Sequence, residues 1–393
     1  NASAGDDDDP SRSNASGDDD EEDASSDEGI SLDRRKALIA LVVAVLLAGG
    51  AITGFGQLAH LGRLERAVRQ ADKLWFIPCL IGQLLAYVGY ILAYHDAARA
   101  DGGPRFNYRT TAQIVIFGAG ASVLGASVGG LAVDYWALRR TGTEPHVASR
   151  RVLGVGTIEW TVLSIYAWST ALLVLVFALH APVGMALGWL FAVPACVGGA
   201  MWFTSPRRVE RYVNPEQRPV QPEHNRIVRV LIKVENKLRT GLDDGIAGVI
   251  FVRHLISHPL RYLGGTIGYP IYWAGDMLTL YAAVRGFGGD PNVIALILAY
   301  ATSFVISALP LPAGGAGGIE ATITLSLHAI GIPFATAVLA VLVYRLITFW
   351  LPVIPALALL PRMRRLHETL PSVPHTQRDS DEEISFRPAH SSQ

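Results

Sequence analysis

The sequence predicts an all-α fold, that of a polytopic helical membrane protein with two inverted re-entrant hairpins. Half of the 393 residues are hydrophobic and only 17% are charged, whereas about a quarter are charged in a typical soluble domain. Several windows reach about 20 apolar residues, which is enough for a helix to span a bilayer. Glycine and proline interrupt two of these apolar regions, and such breaks beside membrane-length segments predict hairpins that enter the membrane and return.

The charged residues divide the chain into five predicted segments. The first 33 residues are rich in Asp and Glu and poor in apolar side chains, so they cannot bury enough surface to offset the entropy of ordering. This acidic stretch is either an interaction tail or a solvated leader. The segments are a disordered acidic tail (1–35), a first membrane half (36–204), a cytoplasmic basic loop with an amphipathic helix (205–258), a second membrane half (259–362) and a disordered C-terminal tail (363–393).

Basic residues set the predicted topology of the first half. Arg34, Arg35 and Lys36 precede the first apolar run and place the N-terminus in the cytoplasm by the positive-inside rule. Residues 112–133 are flanked by basic segments at both ends, so the same rule predicts that they enter the membrane and return on one side. This is the first hairpin. The predicted spans of this half are residues 37–55, 74–94, 152–179 and 183–203.

The basic loop that follows has apolar residues every three or four positions from Ile227 onward. This spacing predicts one long amphipathic helix on the cytoplasmic leaflet, where Lys and Arg meet anionic lipid head groups. Nucleic acid is the other common partner of a basic run, but the flanking spans argue against it, and we expect no nucleic-acid partner.

The second half is organised around residues 309–320, which contain two prolines and four glycines between two apolar runs. Pro and Gly break a continuous helix, so these residues predict a second hairpin that enters from outside; an ordinary loop outside the membrane is the alternative. Residues 260–284 and 334–360 are the predicted spans on either side, with the C-terminus inside. In both hairpins the sequence has the same order of features: a run of small residues, Gly-Gly, a short helix and a long span that contains a charge. This shared order predicts an inverted-topology repeat; the alternative is a coincidental likeness.

Four charged residues fall inside predicted apolar elements, where each needs a partner or water. Arg345 keeps its proton under all ordinary conditions, so it contacts either a lipid phosphate in a central cavity or the carboxylate of Glu320 or Glu159. Glu320 lies just inside a helix N-terminus, where it either caps the helix or binds a ligand. Glu159 binds a cationic group, carries a proton or pairs with arginine, and Asp276 lies midway along its span. No nucleotide, metal or hydrolase motif is present, and we expect no metal and no cofactor.

A series of motifs follows residue 260. They are Trp273…Gly275-Asp276, Phe287-Gly288, Leu309-Pro310…Pro312…Gly314-Gly315…Gly317-Gly318…Glu320-Ala321, Gly331, Tyr344-Arg345-Leu346 and Leu351-Pro352. Together these motifs resemble the lysylphosphatidylglycerol synthetase/flippase transmembrane family, and the resemblance covers roughly residues 37–362. The matching site positions are Pro312, Gly315, Gly318, Glu320, Arg345 and, in the first copy, Glu159.

The resemblance implies a flippase-like membrane domain, often a homodimer, that handles lipids. The 393 residues contain no segment large enough for a soluble aminoacyl-transfer domain, so we expect no enzyme activity. We expect translocation of an anionic phospholipid or lipid-linked head group through a polar groove in the cytoplasmic membrane, with both termini cytoplasmic. The alternatives are an intramembrane enzyme that modifies a lipid head group and a secondary transporter of a polar solute.

Overall fold

The computed structural model describes residues 69–124, 129–203, 261–305 and 317–366. Every regular element in these ranges is a helix, so the all-α prediction is confirmed for this part of the chain. The helices are α1 (Phe76–Arg99), α2 (Tyr108–Leu124), α3 (Gly129–Arg140), α4 (Pro145–Val176), α5 (Val183–Phe203), α6 (Leu263–Gly286), α7 (Val293–Phe304), α8 (Gly318–Ala329), α9 (Phe334–Arg345) and α10 (Val353–Leu366).

Four helical stretches in the described ranges are long and apolar enough to cross a membrane, and the protein is a multi-pass membrane protein. They confirm the predicted spans that begin near residues 74, 152, 183 and 334. The predicted first span, the acidic tail, the basic amphipathic helix and the C-terminal tail beyond residue 366 lie outside the described residues. Residues 363–366, predicted as the start of the disordered C-terminal tail, are the last turn of α10. The four stretches are Lys73–Arg99, Pro145–Val176, Val183–Ala200 and Phe334–Leu359.

Two predicted spans differ in detail from the structure. Helix α6 has 24 residues, but it is not among the four apolar stretches because it carries several tyrosines and glycines together with Asp276. The last predicted span is not one continuous α-helix, because α9 ends at Arg345 and a π-helical turn, Leu346–Trp350, follows it. Pro352 has no N–H to donate and its ring clashes with the preceding turn, which explains why the regular ladder does not continue.

Among the described helices, α1 and α6 share the most extensive contact, and glycines on both helices permit it. A Cβ at Gly275 would lie 2.5 Å from the carbonyl oxygen of Gly82 and 2.6 Å from the backbone nitrogen of Ala86. Only glycine permits backbones to approach this closely, as in other membrane helix pairs with small residues at the contact. The Thr279 hydroxyl adds a polar link, because it donates to the Cys79 carbonyl oxygen at 3.1 Å.

A carboxylate from α1 fixes the start of α6. The backbone N–H of Gly265 donates to Asp96 Oδ2 at 3.1 Å, and a negative charge is favourable at a helix N-terminus. Arg99 pairs with the other oxygen of Asp96 at 2.8 Å and donates to the Arg261 carbonyl oxygen. The two helices are therefore joined at this end as well as along their length.

Two pairs of shorter helices pack beside this central pair. Helices α2 and α3 touch so closely that a Cβ at Gly129 would lie 2.3 Å from the Ala121 carbonyl oxygen. Helices α7 and α8 are joined by the Ser303 hydroxyl, which donates to the Thr322 carbonyl oxygen at 3.3 Å. The chain connecting the members of each pair lies outside the described residues.

The buried apolar side chains form two main clusters. One surrounds Trp273 and Tyr300 on α6 and α7, and the other surrounds Tyr94 and Leu138 on α1 and α3. Tyr272 packs against both clusters. The polar site lies where these two clusters meet.

Candidate functional site

A cavity of about 310 Å³ lies between the two apolar clusters, within the usual size range of small-molecule pockets. Both charged and aromatic side chains face it. Its polar lining comes from α1, α3, α4, α6 and the α9–π segment, so residues distant in sequence share one chamber. The main lining residues are Gln83, Tyr87, Tyr90, Asp134, Glu159, Trp160, Tyr272, Trp273, Asp276, Tyr344, Arg345, Thr348 and Phe349.

Arg345 and Glu320 form a buried ion pair beside the cavity. The Arg345 Nε donates to Glu320 Oε1 at 2.7 Å, and the two side chains are 10% and 12% exposed. The other oxygen, Glu320 Oε2, accepts from the backbone N–H of Gly317 at 2.6 Å, where Gly317 has a φ of +88° that glycine adopts without strain. Glu320 therefore caps α8 and holds the arginine at the same time. The partner is Glu320 and not Glu159, which resolves one of the sequence alternatives.

The guanidinium of Arg345 is held in place, but not all of its nitrogens have a hydrogen-bond partner. The Phe349 ring lies under it, with the guanidinium carbon 4.2 Å from the ring centroid, a cation–π geometry. Within the described ranges, its buried Nη2 has no hydrogen-bond partner. An arginine whose free N–H groups face a cavity inside a membrane protein is suited to binding an anionic group there.

Asp276 is held by tyrosines. Tyr344 donates its hydroxyl to Asp276 Oδ2 at 2.6 Å, and Tyr300 donates to the same oxygen. The Asp276 residue is 6% exposed. Two donors on one carboxylate oxygen satisfy a buried group that would otherwise be costly, and they join α6 to α7 and α9.

We predict that Tyr344→Phe destabilises the protein, since it removes one of the two donors that Asp276 depends on. Tyr300 still donates to the same oxygen, so the expected cost is that of one net hydrogen bond, about 0.5–1.5 kcal/mol. The measurement is the apparent Tm of the purified chain in detergent. Tyr281→Phe is the control, because Tyr281 is only partly buried and contacts Trp75 through its ring; equal Tm values for both variants would contradict the prediction.

A second acidic region faces the cavity from α3 and α4. Asp134 is 2% exposed, and the Tyr90 hydroxyl approaches its Oδ2 at 3.4 Å. The Glu159 backbone carbonyl accepts from Trp273 Nε1 at 2.8 Å. Its carboxylate lines the cavity and makes no hydrogen bond or ion pair with any described residue. Asp134 lies in the protein interior because α3 packs against α2 and α4.

The structure brings together most of the residues that the sequence singled out. Arg345, Asp276 and Glu159 line one cavity, Glu320 contacts Arg345, and Gly318 begins the helix that carries Glu320. Pro312 and Gly315 lie outside the described residues. Among the described side chains, no group of three or more His, Cys, Asp or Glu could hold a metal ion.

Sequence reasoning did not find Gln83, Thr348 or the two tyrosines that hold Asp276. For Thr348 and Phe349 a signal existed, because positions three and four residues after Arg345 share its helix face. For Gln83 and Tyr300 none existed, since each reaches the site only through tertiary packing.

The helices define a polytopic membrane protein, with a half-open cavity between them that charged and aromatic side chains line. A family model described as "Lysylphosphatidylglycerol synthase TM region" matches residues 37–356, which is well over half of the chain. The chain belongs to this family, and the resemblance read from the sequence is confirmed. No curated protein matches the sequence significantly.

Proposed function

We propose that this protein translocates a phospholipid or a lipid-linked head group between leaflets. The head group passes through the cavity while the acyl chains stay in the surrounding lipid. The observation that carries the proposal is Arg345, which is 8% exposed, lies inside a membrane protein and has a guanidinium nitrogen with no partner among the described residues. A head-group phosphate is the anion that a lipid membrane offers to such a site, and Arg recognises phosphate well.

The other charges of the cavity support a transient stay for the head group. Glu320 already pairs with Arg345, so an incoming phosphate shares the guanidinium with a carboxylate. The carboxyl groups of Glu159 and Asp276 line the same cavity. Transport requires binding that is strong enough to admit the head group and weak enough to release it, and competition for one arginine satisfies both needs.

Helix lengths support the two re-entrant hairpins that belong to this proposal. Helices α3, α7 and α8 have 12 residues each, which gives each a length of about 18 Å. A bilayer core is about 30 Å thick, so none of the three crosses it alone. In our proposal α2/α3 and α7/α8 enter from opposite faces as an inverted repeat. Pro312 and Gly315, the positions predicted for the second hairpin, lie outside the described residues.

The remaining elements of the proposal follow from the positive-inside rule and the family resemblance. Both termini lie in the cytoplasm. Residues 36–204 and 259–362 form two membrane halves, and the basic segment 205–258 between them lies on the cytoplasmic leaflet. The protein lies in the cytoplasmic membrane, and the family resemblance implies a domain that often forms a homodimer. Anionic phospholipid is the proposed partner.

The test is a translocation assay with the full chain in liposomes. Fluorescent phosphatidylglycerol is placed in both leaflets, and a membrane-impermeant quencher reports how fast lipid from the inner leaflet becomes accessible. We expect faster exchange than in protein-free liposomes. Exchange at the protein-free rate, with correctly folded protein present, would contradict the proposal.

The same vesicles separate translocation from enzymatic modification of the lipid. After the assay, the lipids are extracted and analysed by mass spectrometry. Translocation leaves every lipid mass unchanged, whereas an intramembrane enzyme that modifies head groups produces new masses. A new head-group mass that depends on the protein would favour the enzyme.

A further inference from the structure

One end of the helix bundle carries a cluster of exposed arginines. Arg99, at the end of α1, donates to the Arg261 carbonyl oxygen at 3.2 Å, just before α6 begins. Arg151, in the first turns of α4, donates to the Ala100 carbonyl oxygen at 3.1 Å, and the short connection after α1 places the start of α2 at the same end. We call this surface the basic face. Its exposed arginines are Arg99, Arg105, Arg109, Arg150 and Arg261.

Acidic residues at this end are fewer than the arginines. Those in the described chain near the basic face are Asp96, Asp101 and Glu144. Asp96 is buried and pairs with Arg99 at 2.8 Å, and Glu144 pairs with His146. Three of the exposed arginines make no hydrogen bond or ion pair with any described residue, namely Arg105, Arg109 and Arg150. The basic face therefore presents positive charge that the described part of the chain leaves unpaired.

The charges at the opposite end of the bundle are closer to balance. The backbone N–H of Asp72 donates to the Gly286 carbonyl oxygen at 2.9 Å, which joins the start of α1 to the end of α6. Arg285 pairs with Asp290 at this end, and Lys73 directly follows Asp72. The positive-inside rule therefore assigns the basic face to the cytoplasmic side.

Residues 6–28 carry the opposite charge. This acidic segment contains 12 Asp and Glu and one Arg. The rest of the chain keeps 32 of the 33 Lys and Arg but only 22 of the 34 Asp and Glu. The negative charge of the acidic segment thus nearly equals the excess positive charge of everything else, which is charge complementarity within one chain.

The chain connectivity brings the acidic segment to the side of the basic face. Helix α1 begins at the opposite end, and the predicted span 37–55 precedes it in the sequence. One crossing by that span leaves residues 1–36 on the side of the basic face. Residues 29–36 link the acidic segment to the span and reach at most about 28 Å. A short tether of this kind gives an effective concentration in the millimolar range, so a weak contact is sufficient.

We propose that the acidic segment docks on the basic face and covers its unpaired arginines. Exposed ion pairs are individually weak and are screened by salt, so the docked state forms through many such pairs and responds to ionic strength. Anionic lipid is the competing occupant, because lipid head groups can approach the rim of the face. The tether and the charge complementarity favour the acidic segment, and docking keeps the arginines from anionic lipid until salt releases them.

The experiment measures a distance by double electron–electron resonance, using the full chain in phosphatidylcholine nanodiscs. Spin labels are attached at Ser16→Cys in the acidic segment and at His146→Cys, an exposed position beside the basic face. The exposed Cys196 is replaced by Ser, and the buried Cys79 is kept. We expect a narrow distance peak at about 0.1 M salt, where the Debye length is about 10 Å, and its loss at about 1 M, where that length is about 3 Å.

Replacement of three arginines tests the face itself. The variant Arg105→Gln/Arg109→Gln/Arg150→Gln removes charges that contact no described residue, so the fold should persist; size-exclusion profiles and Tm values check this. An exposed ion pair changes an equilibrium constant by roughly 1.4- to 5-fold, so we expect the ratio of docked to undocked protein to fall about tenfold. Arg285→Gln at the opposite end is the matched control and should leave the ratio unchanged.

A second variant tests the contact from the other side. Replacing Asp18, Asp19 and Asp20 by Asn removes three charges from the acidic segment and alters no described residue. We expect a fall in the docked ratio similar to that of the triple arginine variant. The readout is a distance, so it does not depend on lipid transport.

Three outcomes would overturn the proposal. A broad distance distribution in the wild-type protein at low salt would show that the acidic segment stays in solvent. A folded triple arginine variant that keeps the narrow peak would show that the segment docks elsewhere, with the basic segment 205–258 as its partner. Loss of the peak in nanodiscs that contain phosphatidylglycerol, at unchanged low salt, would assign the basic face to an anionic lipid surface instead.

Discussion

Arg345→Ala is expected to reduce lipid translocation in liposomes at least about a hundredfold, close to the protein-free rate. The guanidinium is the one cation among the described residues that line the cavity, and a charge-assisted bond to phosphate is among the strongest polar contacts in proteins. Losing about 3 kcal/mol of binding at the barrier corresponds to roughly a hundredfold in rate. The measurement is the initial rate of fluorescent phosphatidylglycerol exchange at equal amounts of reconstituted protein.

The single substitution also leaves Glu320 as an unpaired buried carboxylate, which costs about 3–5 kcal/mol. Loss of folding could therefore imitate loss of transport. The double variant Arg345→Ala/Glu320→Gln removes both charges and is expected to fold but not to transport. Arg285→Ala is the surface control, since Arg285 pairs with the exposed Asp290. If the folded double variant transports lipid as wild type does, Arg345 is only a structural partner of Glu320.

Gly275→Ala is expected to destabilise the fold strongly, because the added methyl group on α6 would collide with the backbone of α1. Its Cβ would lie 2.5 Å from the Gly82 carbonyl oxygen and 2.6 Å from the Ala86 nitrogen, and both atoms belong to backbone that cannot rotate aside. Overpacking of this kind costs about 1–3 kcal/mol and sometimes more. It outweighs the roughly 1 kcal/mol that alanine gains over glycine in a helix. The measurements are the apparent Tm in detergent and the fraction of monodisperse protein.

Gly184→Ala on α5 provides the matched control, because a Cβ there meets nothing within 4 Å. This variant has the same change in helix propensity without the clash, so its Tm should equal or slightly exceed that of wild type. A Gly275→Ala protein with a wild-type Tm would show that α1 and α6 can separate without loss. Because Asp276 follows directly in the chain, we expect the destabilised variant to lose transport as well.

Periodicity and charge were sufficient to predict much of the fold. Apolar runs located the four spans, since a helix in lipid must be apolar over its whole length. The helix boundaries were predicted less exactly. Helix α4 begins at Pro145 and not at the predicted residue 152, because its first turns contain polar residues that precede the apolar run. The π-helical turn after Arg345 has no periodic signal, and Pro352 alone indicates that a break is near.

The candidate site was partly predictable for a related reason. A charge inside an apolar span is conspicuous, so Arg345, Glu159, Asp276 and Glu320 could be found from sequence. Tyr300 and Gln83 look like ordinary membrane-helix residues, and their roles depend on neighbours far away in the chain. The pairing of Arg345 with Glu320 was one alternative of two, because spacing along the sequence does not show which carboxylate lies within hydrogen-bond distance.

The glycine contact between α1 and α6 limits how the protein can move. Two backbones that already touch cannot slide along each other, because the neighbouring Cβ atoms would collide, and packed interiors deform little. Any opening that admits a head group must therefore leave these two helices as a fixed frame and displace the shorter helices on the opposite walls of the chamber. Because these helices are short, displacing them costs less free energy than moving α1 or α6.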